Sequence, residues 1–533
     1  MDRQGMRVAA IDIGSNSIHM VIAQVESDGR FNVLDSAKEM VRLGQRPLSS
    51  GRLSAEAMSN GMRTLSVFRT LAERQGVTRF QAVATSAVRE AKNGGDFIQR
   101  IHDEVGLRVK VIPGREEARL IYLGVRHAID LQNEPALIMD AGGGSVELIF
   151  TYPDKRQPDL HSVKLGVTRL CERFLDSSKP SQKALAEMEE YIEQQLDAVM
   201  PRSMAPPIRR VIATSGTLLN VITIAGYERG QPPNGHLNNY SVSADDIARV
   251  RRVVSRADRD ERLRIKGLDA KRVDLIVAGA CLAHHVVRRV GAEEVVACTW
   301  ALREGVLLDY IARHRTGIEE TGRYSEPRHR SVARFARHMG VSGDHPQHVV
   351  RLALQLFDQL HVELDLKPEA REWLEFAALL HDVGHQIGHK DHHRHSYYLI
   401  ANGELLGFRR EEIELIALTA RYHRKSPPKD TDEAYAALAK ADRRTVRALS
   451  ALLRVADGLD RSHYSVVRDV NAVRRGNRLI LQLATSGEDA ELEIWEAGRR
   501  GAPLGELLDV EMELQVLSAE ESRHVERTAS VSR

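Results

Sequence analysis

Two stretches of the chain repeat one pattern of apolar and polar positions. In the first, apolar Val8 to Ile11 is broken by Asp12, a small polar run Gly14-Ser15-Asn16-Ser17 follows, and apolar positions resume from Ile18 to Ile22. In the second, Leu137 to Met139 is broken by Asp140, Gly142-Gly143-Gly144-Ser145 follows, and Val146 to Ile149 is apolar apart from Glu147. Laid on each other, Asp12 falls on Asp140, Gly14 on Gly142, Ser17 on Ser145 and His19 on Glu147. The apolar runs are too short for helices and are bounded by glycine, so each copy predicts a β-hairpin.

The pattern continues as alternating strands and helices. Phe31 to Asp35 predicts a strand, and residues 53–75 predict a helix with Ser54 as N-cap and Met58, Met62, Leu65, Phe68 and Leu71 on one face. Phe80 to Thr85 is a strand running into the small-residue loop Ser86-Ala87-Val88-Arg89, which opens a helix. A strand over Val109 to Ile112 ends at Pro113-Gly114, and the helix that follows carries Glu116 and Glu117 in its first turn. Further elements are a strand and helix over 162–170, a charged helix over 181–199, and a strand over 211–214 ending in the turn Ser215-Gly216-Thr217. A small-residue helix face at 274–280, a strand at 295–298 and a closing helix from 301 complete this region; Gly305 marks a close approach to a neighbour. Polar residues 312–328 predict a linker. Beyond it the pattern is helical to about 466, then returns to strands at 477–483, 490–494 and 510–516, with a polar tail at 518–533.

A length of 533 residues suggests three or four domains, and a hydrophobic content of 42% permits sizeable cores. Net charge is only +2, which gives no case for nucleic-acid or membrane partners. Cys171, Cys281 and Cys298 show no paired spacing, the start of the chain has no secretory apolar region, and no run is long enough to span a bilayer; a cytoplasmic setting is expected. Of 22 histidines, six fall between His381 and His395.

The chemistry that suits the repeated hairpin is phosphate binding. Small residues allow backbone N–H groups to line an anion-binding concavity, and Ser15, Asn16, Ser17 and Ser145 add side-chain donors. The aspartate before each turn can hold a hydrated Mg²⁺ that bridges to phosphate oxygens. A lone Asp-x-Gly-Gly-Gly is usually a plain tight turn; two copies suggest two halves facing across a cleft. Arg89 reads equally as a phosphate clamp or a surface ion pair. Glu116 and Glu117 favour the helix dipole, and either could serve as general base to an attacking water.

Four motifs stand in order: Ile11-Asp12-Ile13-Gly14-Ser15-Asn16-Ser17, Ala84-Thr85-Ser86-Ala87-Val88-Arg89, Pro113-Gly114-Arg115-Glu116-Glu117-Ala118-Arg119 and Asp140-Ala141-Gly142-Gly143-Gly144-Ser145-Val146-Glu147. Together they resemble the bacterial exopolyphosphatase / guanosine pentaphosphate phosphatase family, within the larger sugar-kinase, heat-shock-chaperone and actin fold. The resemblance covers about residues 6–312. It implies an α/β fold of two ribonuclease-H-like domains, 1–130 and 131–312, closing on a polyphosphate chain. It implies Glu117 as the catalytic glutamate, with Glu116 the neighbour it could be confused with, and Mg²⁺ held by Asp140 and Glu147 with Asp12 in the equivalent place of the first hairpin. Phosphate contacts are implied at Gly14, Ser15, Asn16, Ser17, Arg89, Gly142, Gly143, Gly144 and Ser145, and at the third loop Ser215, Gly216 and Thr217. Ala141 and Val146 depart conservatively from the residues family members often carry there. A homodimer is implied by resemblance only.

In the helical region His348, His381-Asp382, His423 and Asp457 occur in the order of the HD phosphohydrolase superfamily, an all-helical fold whose ligands meet on one divalent metal. That resemblance implies an all-α HD-like domain at 320–466 with a possible second metal on His348, His381, Asp382 and Asp457, followed by a small α+β domain at 467–517. The plain alternative is a buried hydrogen-bonded His-Asp pair. The remaining histidines, His385, His389, His392, His393 and His395, read as an extension of the site or as a basic rim for a polyanion.

The favoured expectation is a phosphoanhydride hydrolase: an exopolyphosphatase releasing terminal orthophosphate with Mg²⁺ and a glutamate base. Guanosine pentaphosphate hydrolysis needs the same cleft and is the alternative substrate. From other classes, an ATP-dependent phosphotransferase would show no phosphate release, and a nucleotide-sensing regulator would bind without turnover.

Overall fold

The computed structural model describes residues 6–26, 31–44, 51–131, 134–153, 155, 157–175, 179–200, 207–314, 327–341, 344–486 and 489–517. Most of the expected linker, residues 315–326, and the tail at 518–533 lie outside the described residues. The contacts divide the chain into two units, residues 1–327 and 328–533.

The first unit contains two sheets built on the two predicted hairpins. In the first, β1 (Met6–Ile13), β2 (Ser17–Val25), β3 (Phe31–Met40), β4 (Arg79–Ala84) and β5 (Val109–Val111) lie in the order β3-β2-β1-β4-β5. In the second, β6 (Ala136–Ala141), β7 (Val146–Thr151), β8 (Asp159–Val163), β9 (Arg210–Thr214), β10 (Ser241–Ser243) and β11 (Glu294–Ala297) lie in the order β10-β11-β9-β6-β7-β8. The repeat extends beyond the hairpins. In each sheet the first strand pairs antiparallel with the second and parallel with the fourth. Every residue of β6 and β7 is buried, so this hairpin is covered on both faces, as its nearly unbroken apolar sequence requires.

Six helices of this unit matter to the site: α1 (Ala55–Arg74), α2 (Ser86–Glu90), α3 (Gly114–Ala128), α4 (Gly216–Glu228), α5 (Ile276–Val290) and α6 (Leu302–His314). The Ser54 hydroxyl caps α1 by accepting the Ala57 amide, as its sequence position predicts. Helices α3 and α6 exchange places. The former follows the first sheet in the chain but packs on β6, β7 and β8; the latter follows the second sheet and packs on β1, β2 and β4. A division at residue 130 therefore assigns α3 to the wrong sheet. The exchange needs the two helices to cross closely, and glycine makes that possible. A Cβ on Gly305 would lie 1.8 Å from the Leu120 carbonyl oxygen, and one on Gly124 would lie 2.4 Å from that of Ala301.

The second unit packs α7 (His345–Leu360), α8 (Ala370–Leu380), α9 (His392–Ala401), α10 (Arg410–Arg421) and α11 (Lys440–Gly458) around one core. Two sequence expectations are corrected here. The strand expected at 490–494 is the start of a long helix, α12 (Glu491–Leu508). The alternation Glu491 to Ile494 misleads, because Ala497, Gly501, Leu504 and Gly505 behind it form a buried stripe of mostly small residues whose helical period is masked by glycine and Pro503. The stripe lets α12 press on α11: a Cβ on Gly458 would meet the Ala497 Cα at 2.8 Å. The second correction concerns the separate C-terminal domain. Strands β12 (Val467–Arg475), β13 (Arg478–Thr485) and β14 (Glu511–Val516) form a three-stranded sheet, but Val470, Leu481, Leu483 and Leu504 join the same core as Leu352, Phe357 and Leu452. This unit is therefore helices plus a sheet on one core, since three short strands cannot bury a core alone.

Gly305→Ala is expected to destabilise the first unit by about 1–3 kcal/mol, because the added methyl collides with backbone rather than with a movable side chain. Gly95→Ala, where a Cβ meets nothing within 4 Å, is the comparison and should not lower stability. Urea unfolding followed by circular dichroism measures both.

Candidate functional site

The two hairpin turns are tied down in the same way. The carbonyl of Asn16 accepts the amides of Val41 and Arg42 at 3.1 and 2.9 Å, and that of Ser15 accepts the Gly44 amide at 2.6 Å. In the second turn Gly142 accepts the Val167 amide at 2.9 Å, and Gly143 accepts those of Thr168 and Arg169 at 3.0 and 3.1 Å. The turns also touch one another. A Cβ on Gly143 would lie 2.9 Å from that of Ser15, and one on Gly144 would lie 2.3 Å from the Ser86 hydroxyl. The glycines thus serve first as the contact surface between the two halves. Glu90, at the end of α2, locks that contact: Arg169 donates to both its oxygens at 3.1 and 3.0 Å and also to the Gly144 carbonyl at 3.0 Å.

Four carboxyl groups gather beside these turns. Asp12 and Asp140 end the first strand of each hairpin, opposite His19 and Glu147 respectively. Glu117 stands in the first turn of α3, which the helix exchange carries to this place. Its Oε2 accepts from Arg89 Nη1 at 3.0 Å, and the same nitrogen donates to the Ile112 carbonyl at 2.7 Å. Arg89 is thus neither a surface pair nor free; it is the ion partner of Glu117. Glu116 lies apart, held by Arg119 at 2.8 and 2.9 Å, and Arg119 also reaches Asp309 of α6 at 2.7 Å. Thr214 donates to Asp140 at 2.8 Å and Ser162 to Glu147 at 2.7 Å. One Asp12 oxygen, Oδ1, is buried without a hydrogen-bond partner.

Burial raises all four acids, and repulsion from neighbouring acids adds to it at Asp12, Glu117 and Glu147. Burial, then Glu117 and Asp140, push Asp12 up to about 8. Burial raises Glu117 to about 7 against the opposing pull of Arg89. Burial raises Asp140 to about 6, moderated by Thr214, and drives Glu147 well above the usual range with help from Glu117 and Asp140. The donors are all oxygens and one of them, Asp12 Oδ1, is unpartnered, which is the donor chemistry of a hard divalent cation.

Cations collect nearby. Arg303 of α6 reaches His19 Nδ1 at 2.7 Å, while Ser17 reaches its Nε2 at 2.7 Å. Burial, with Lys38, Arg303 and Arg272, holds His19 down to about 2. Burial and the same two arginines lower Lys38 to about 8. Arg272 also occupies the third loop: it donates to the Thr217 hydroxyl at 3.2 Å, and a Cβ on Gly216 would fall 1.9 Å from its guanidinium. Ser215, at φ +72°, has a buried hydroxyl without a partner. Sequence reading missed Lys38, Arg272 and Arg303. They belong to no motif and come together only through the fold.

In the second unit, His381, Asp382, His423 and Asp457 converge, but His348 does not join them. Its Nε2 donates to the Val467 carbonyl at 2.8 Å and its Nδ1 accepts from Arg351 at 3.0 Å, so it serves the sheet. His345, one turn earlier on the same face of α7, takes the place. Both are buried and three residues apart, and a helical period cannot choose between them.

The sequence pattern of the Ppx/GppA phosphatase family matches residues 21–314, and that of Ppx/GppA phosphatase domain III matches 328–496. Exopolyphosphatase 1 of Mycobacterium leprae is 30% identical over 324 residues, covering 59% of this chain and 95% of that protein. Among solved structures, a Ppx/GppA family member from Aquifex aeolicus is 27% identical with a TM-score of 0.50, covering 58% of this chain and 99% of that one. An exopolyphosphatase from Cytophaga hutchinsonii is 29% identical with a TM-score of 0.52, covering 59% and 100%. Among the described residues no helix is long and apolar enough to cross a membrane. With its paired hairpins, its carboxylate cluster and both matched patterns, the chain belongs to the Ppx/GppA phosphatase family.

Proposed function

We propose that this chain is an exopolyphosphatase that hydrolyses the terminal phosphoanhydride of inorganic polyphosphate, with Glu117 as general base. The observation that carries the reading is Glu117 itself: a buried carboxylate, raised to about 7, beside three further acids and one arginine. Asp12, Asp140 and Glu147 would hold Mg²⁺, which when bound neutralises charge on the phosphoryl oxygens. The residues of the chain do the rest. Glu117 takes a proton from the attacking water, whose oxygen bonds to the terminal phosphorus as the bridging P–O bond breaks. The shortened chain keeps the bridging oxygen and its electron pair. Arg89 keeps the base ionised and sits where it can shield charge on the reacting phosphoryl group. Lys38, Arg272 and Arg303 supply positive charge for the rest of a polyanion. Part of that charge is shared within the chain, since Arg303 pairs with the buried Glu304 at 2.6 Å and Arg272 stands 3.6 Å from Asp269.

The direct test is orthophosphate release from long-chain polyphosphate with Mg²⁺. Glu117→Gln is expected to lower kcat by roughly 10²–10⁴-fold while substrate binding survives. Equal release by both proteins would refute the assignment. Release from guanosine pentaphosphate but not from polyphosphate would move the substrate to the nucleotide.

The acid limb of the pH profile gives a second check. A base must be deprotonated, so below about 7 the rate should fall about tenfold per pH unit and above it should level off. Arg89 lowers the Glu117 pKa both by charge and by its hydrogen bond, so Arg89→Gln should move the midpoint of the limb to higher pH. kcat/KM measured across the pH range reads the shift.

A further inference from the structure

The histidine cluster of the second unit is built from five separate elements. His345 comes from α7, His381 and Asp382 from the end of α8, His392 from the start of α9, His423 from the end of α10 and Asp457 from α11. Their contacts fall into two groups that meet at one carboxylate. His345 Nε2 and His381 Nε2 lie 3.7 and 3.8 Å from Asp457 Oδ1, and His381 Nε2 lies 3.5 Å from Asp382 Oδ2. The other oxygen, Asp382 Oδ1, lies 3.2 Å from His392 Nε2, 3.5 Å from His385 Nε2 and 3.7 Å from His423 Nε2. Most of these separations exceed a hydrogen bond. Two ligands on a shared ion at bond lengths near 2.0–2.2 Å stand roughly 3.0–3.6 Å apart; the separations of 3.2, 3.5 and 3.5 Å fall in that range, and those of 3.7, 3.7 and 3.8 Å lie just beyond it.

The far side of each ring fixes the proton. His381 Nδ1 faces the Ala378 carbonyl at 2.7 Å, His392 Nδ1 that of His389 at 3.1 Å, and His423 Nδ1 that of Ala420 at 2.6 Å. A carbonyl only accepts, so each Nδ1 carries a hydrogen, and the tautomer so fixed turns its Nε2 lone pair inward. His345 Nδ1 is bonded in the same sense to Asp460 at 2.7 Å, and Asp460 already accepts the Ser465 amide. Inside the cluster, His345 Nε2 and His381 Nε2 are buried without any hydrogen-bond partner. His392 Nε2 and His423 Nε2 stand 3.3 Å apart, so at most one proton fits between them. Lone pairs and carboxylate oxygens packed this way repel unless cations lie among them. Arg500 occupies the other oxygen of Asp457 and so aims Oδ1 at the histidines.

We infer that the second unit holds two divalent cations bridged by Asp382, one bound by His345, His381 and Asp457 and the other by His385, His392 and His423. A donor set this rich in imidazole selects Mn²⁺, Fe²⁺, Co²⁺ or Zn²⁺ over Mg²⁺ or Ca²⁺. The centre is independent of the carboxylate cleft, since it shares none of its residues.

The test uses the full-length chain, stripped with a chelator, reloaded with excess Mn²⁺, desalted and analysed for metal per chain. In an Asp140→Asn background, which removes a ligand of the carboxylate cleft's own cation, two ions are expected, and likewise with Glu117→Gln added; one is expected on adding His392→Ala, and none on adding Asp382→Ala. Asp382→Asn keeps the shape of the bridge and guards against misfolding; it should lose at least one ion while keeping the wild-type circular dichroism spectrum. In the Asp140→Asn background, adding Mn²⁺ should raise the unfolding temperature, and it should not do so once Asp382→Ala is added. A wild type that retains no Mn²⁺, or an Asp382→Ala variant that retains as much as the wild type, overturns the inference. A single ion unaffected by His392→Ala overturns the second position.

Discussion

Carboxylates withdrawn from water repel one another with a strength that the low dielectric of a protein interior magnifies. Asp12, Glu117, Asp140 and Glu147 are gathered under that condition, and each is raised above its usual range chiefly by burial. Left alone, such a cluster would favour either protonation or separation of the two halves that carry it. Arg89, Thr214 and Ser162 offset only part of the repulsion, because each serves one acid and none reaches Asp12 Oδ1. The rest of the first unit is arranged around keeping these acids together. A cation placed among these acids would remove repulsion that the fold itself leaves in place, whereas an anionic chain without one would add to it.

What opposes separation is backbone geometry rather than charge. The hairpin turns touch through Gly143 and Gly144, where Ser15 and Ser86 would collide with any side chain. Glu90 and Arg169 then clamp the contact, with Arg169 reaching across to both oxygens of the acid. On another side the crossed helices α3 and α6 tie each sheet to the element that follows the other, and Gly124 and Gly305 let their backbones meet. The exchange has a direct chemical effect. It carries Glu117 from the segment after the first sheet to the acids of the second, and brings Arg303 of α6 back to His19 of the first. Each half therefore completes the other's chemistry.

How much of this was legible in the sequence follows from the range of the interactions involved. The hairpins were, because strand, turn and strand lie within fifteen residues, and the overlay of Asp12 with Asp140 and His19 with Glu147 reappears as cross-strand pairs. The capping serine of α1 and the close approach at Gly305 were legible for the same local reason. Distinguishing Glu117 from Glu116 was a question of which way one helical turn faces, and that depends on where α3 is packed. Lys38, Arg272 and Arg303 were not legible at all, since strand β3, a short turn and α6 supply them without any shared pattern. His348 was read in place of His345 because a period of three to four residues puts both on the buried face. Helix α12 was read as a strand because its packing stripe is glycine and alanine, and an apolar moment is weak when the buried residues are small.

The two units solve one problem with different donors. In the first, the converging atoms are carboxylate oxygens whose protonation is set by distance and burial, and the partner that suits them is a hard cation such as Mg²⁺. In the second, the converging atoms are imidazole nitrogens whose protonation is set from behind, by the carbonyls of Ala378, His389 and Ala420 at the ends of helical turns. A carboxylate can relieve repulsion by taking up a proton; an imidazole whose Nδ1 is already committed to a carbonyl can do so only by taking a second proton on Nε2, one ring at a time against Asp382 or Asp457. The fixed tautomers of the histidine cluster leave a metal ion as the simplest group that satisfies several of its inward lone pairs at once.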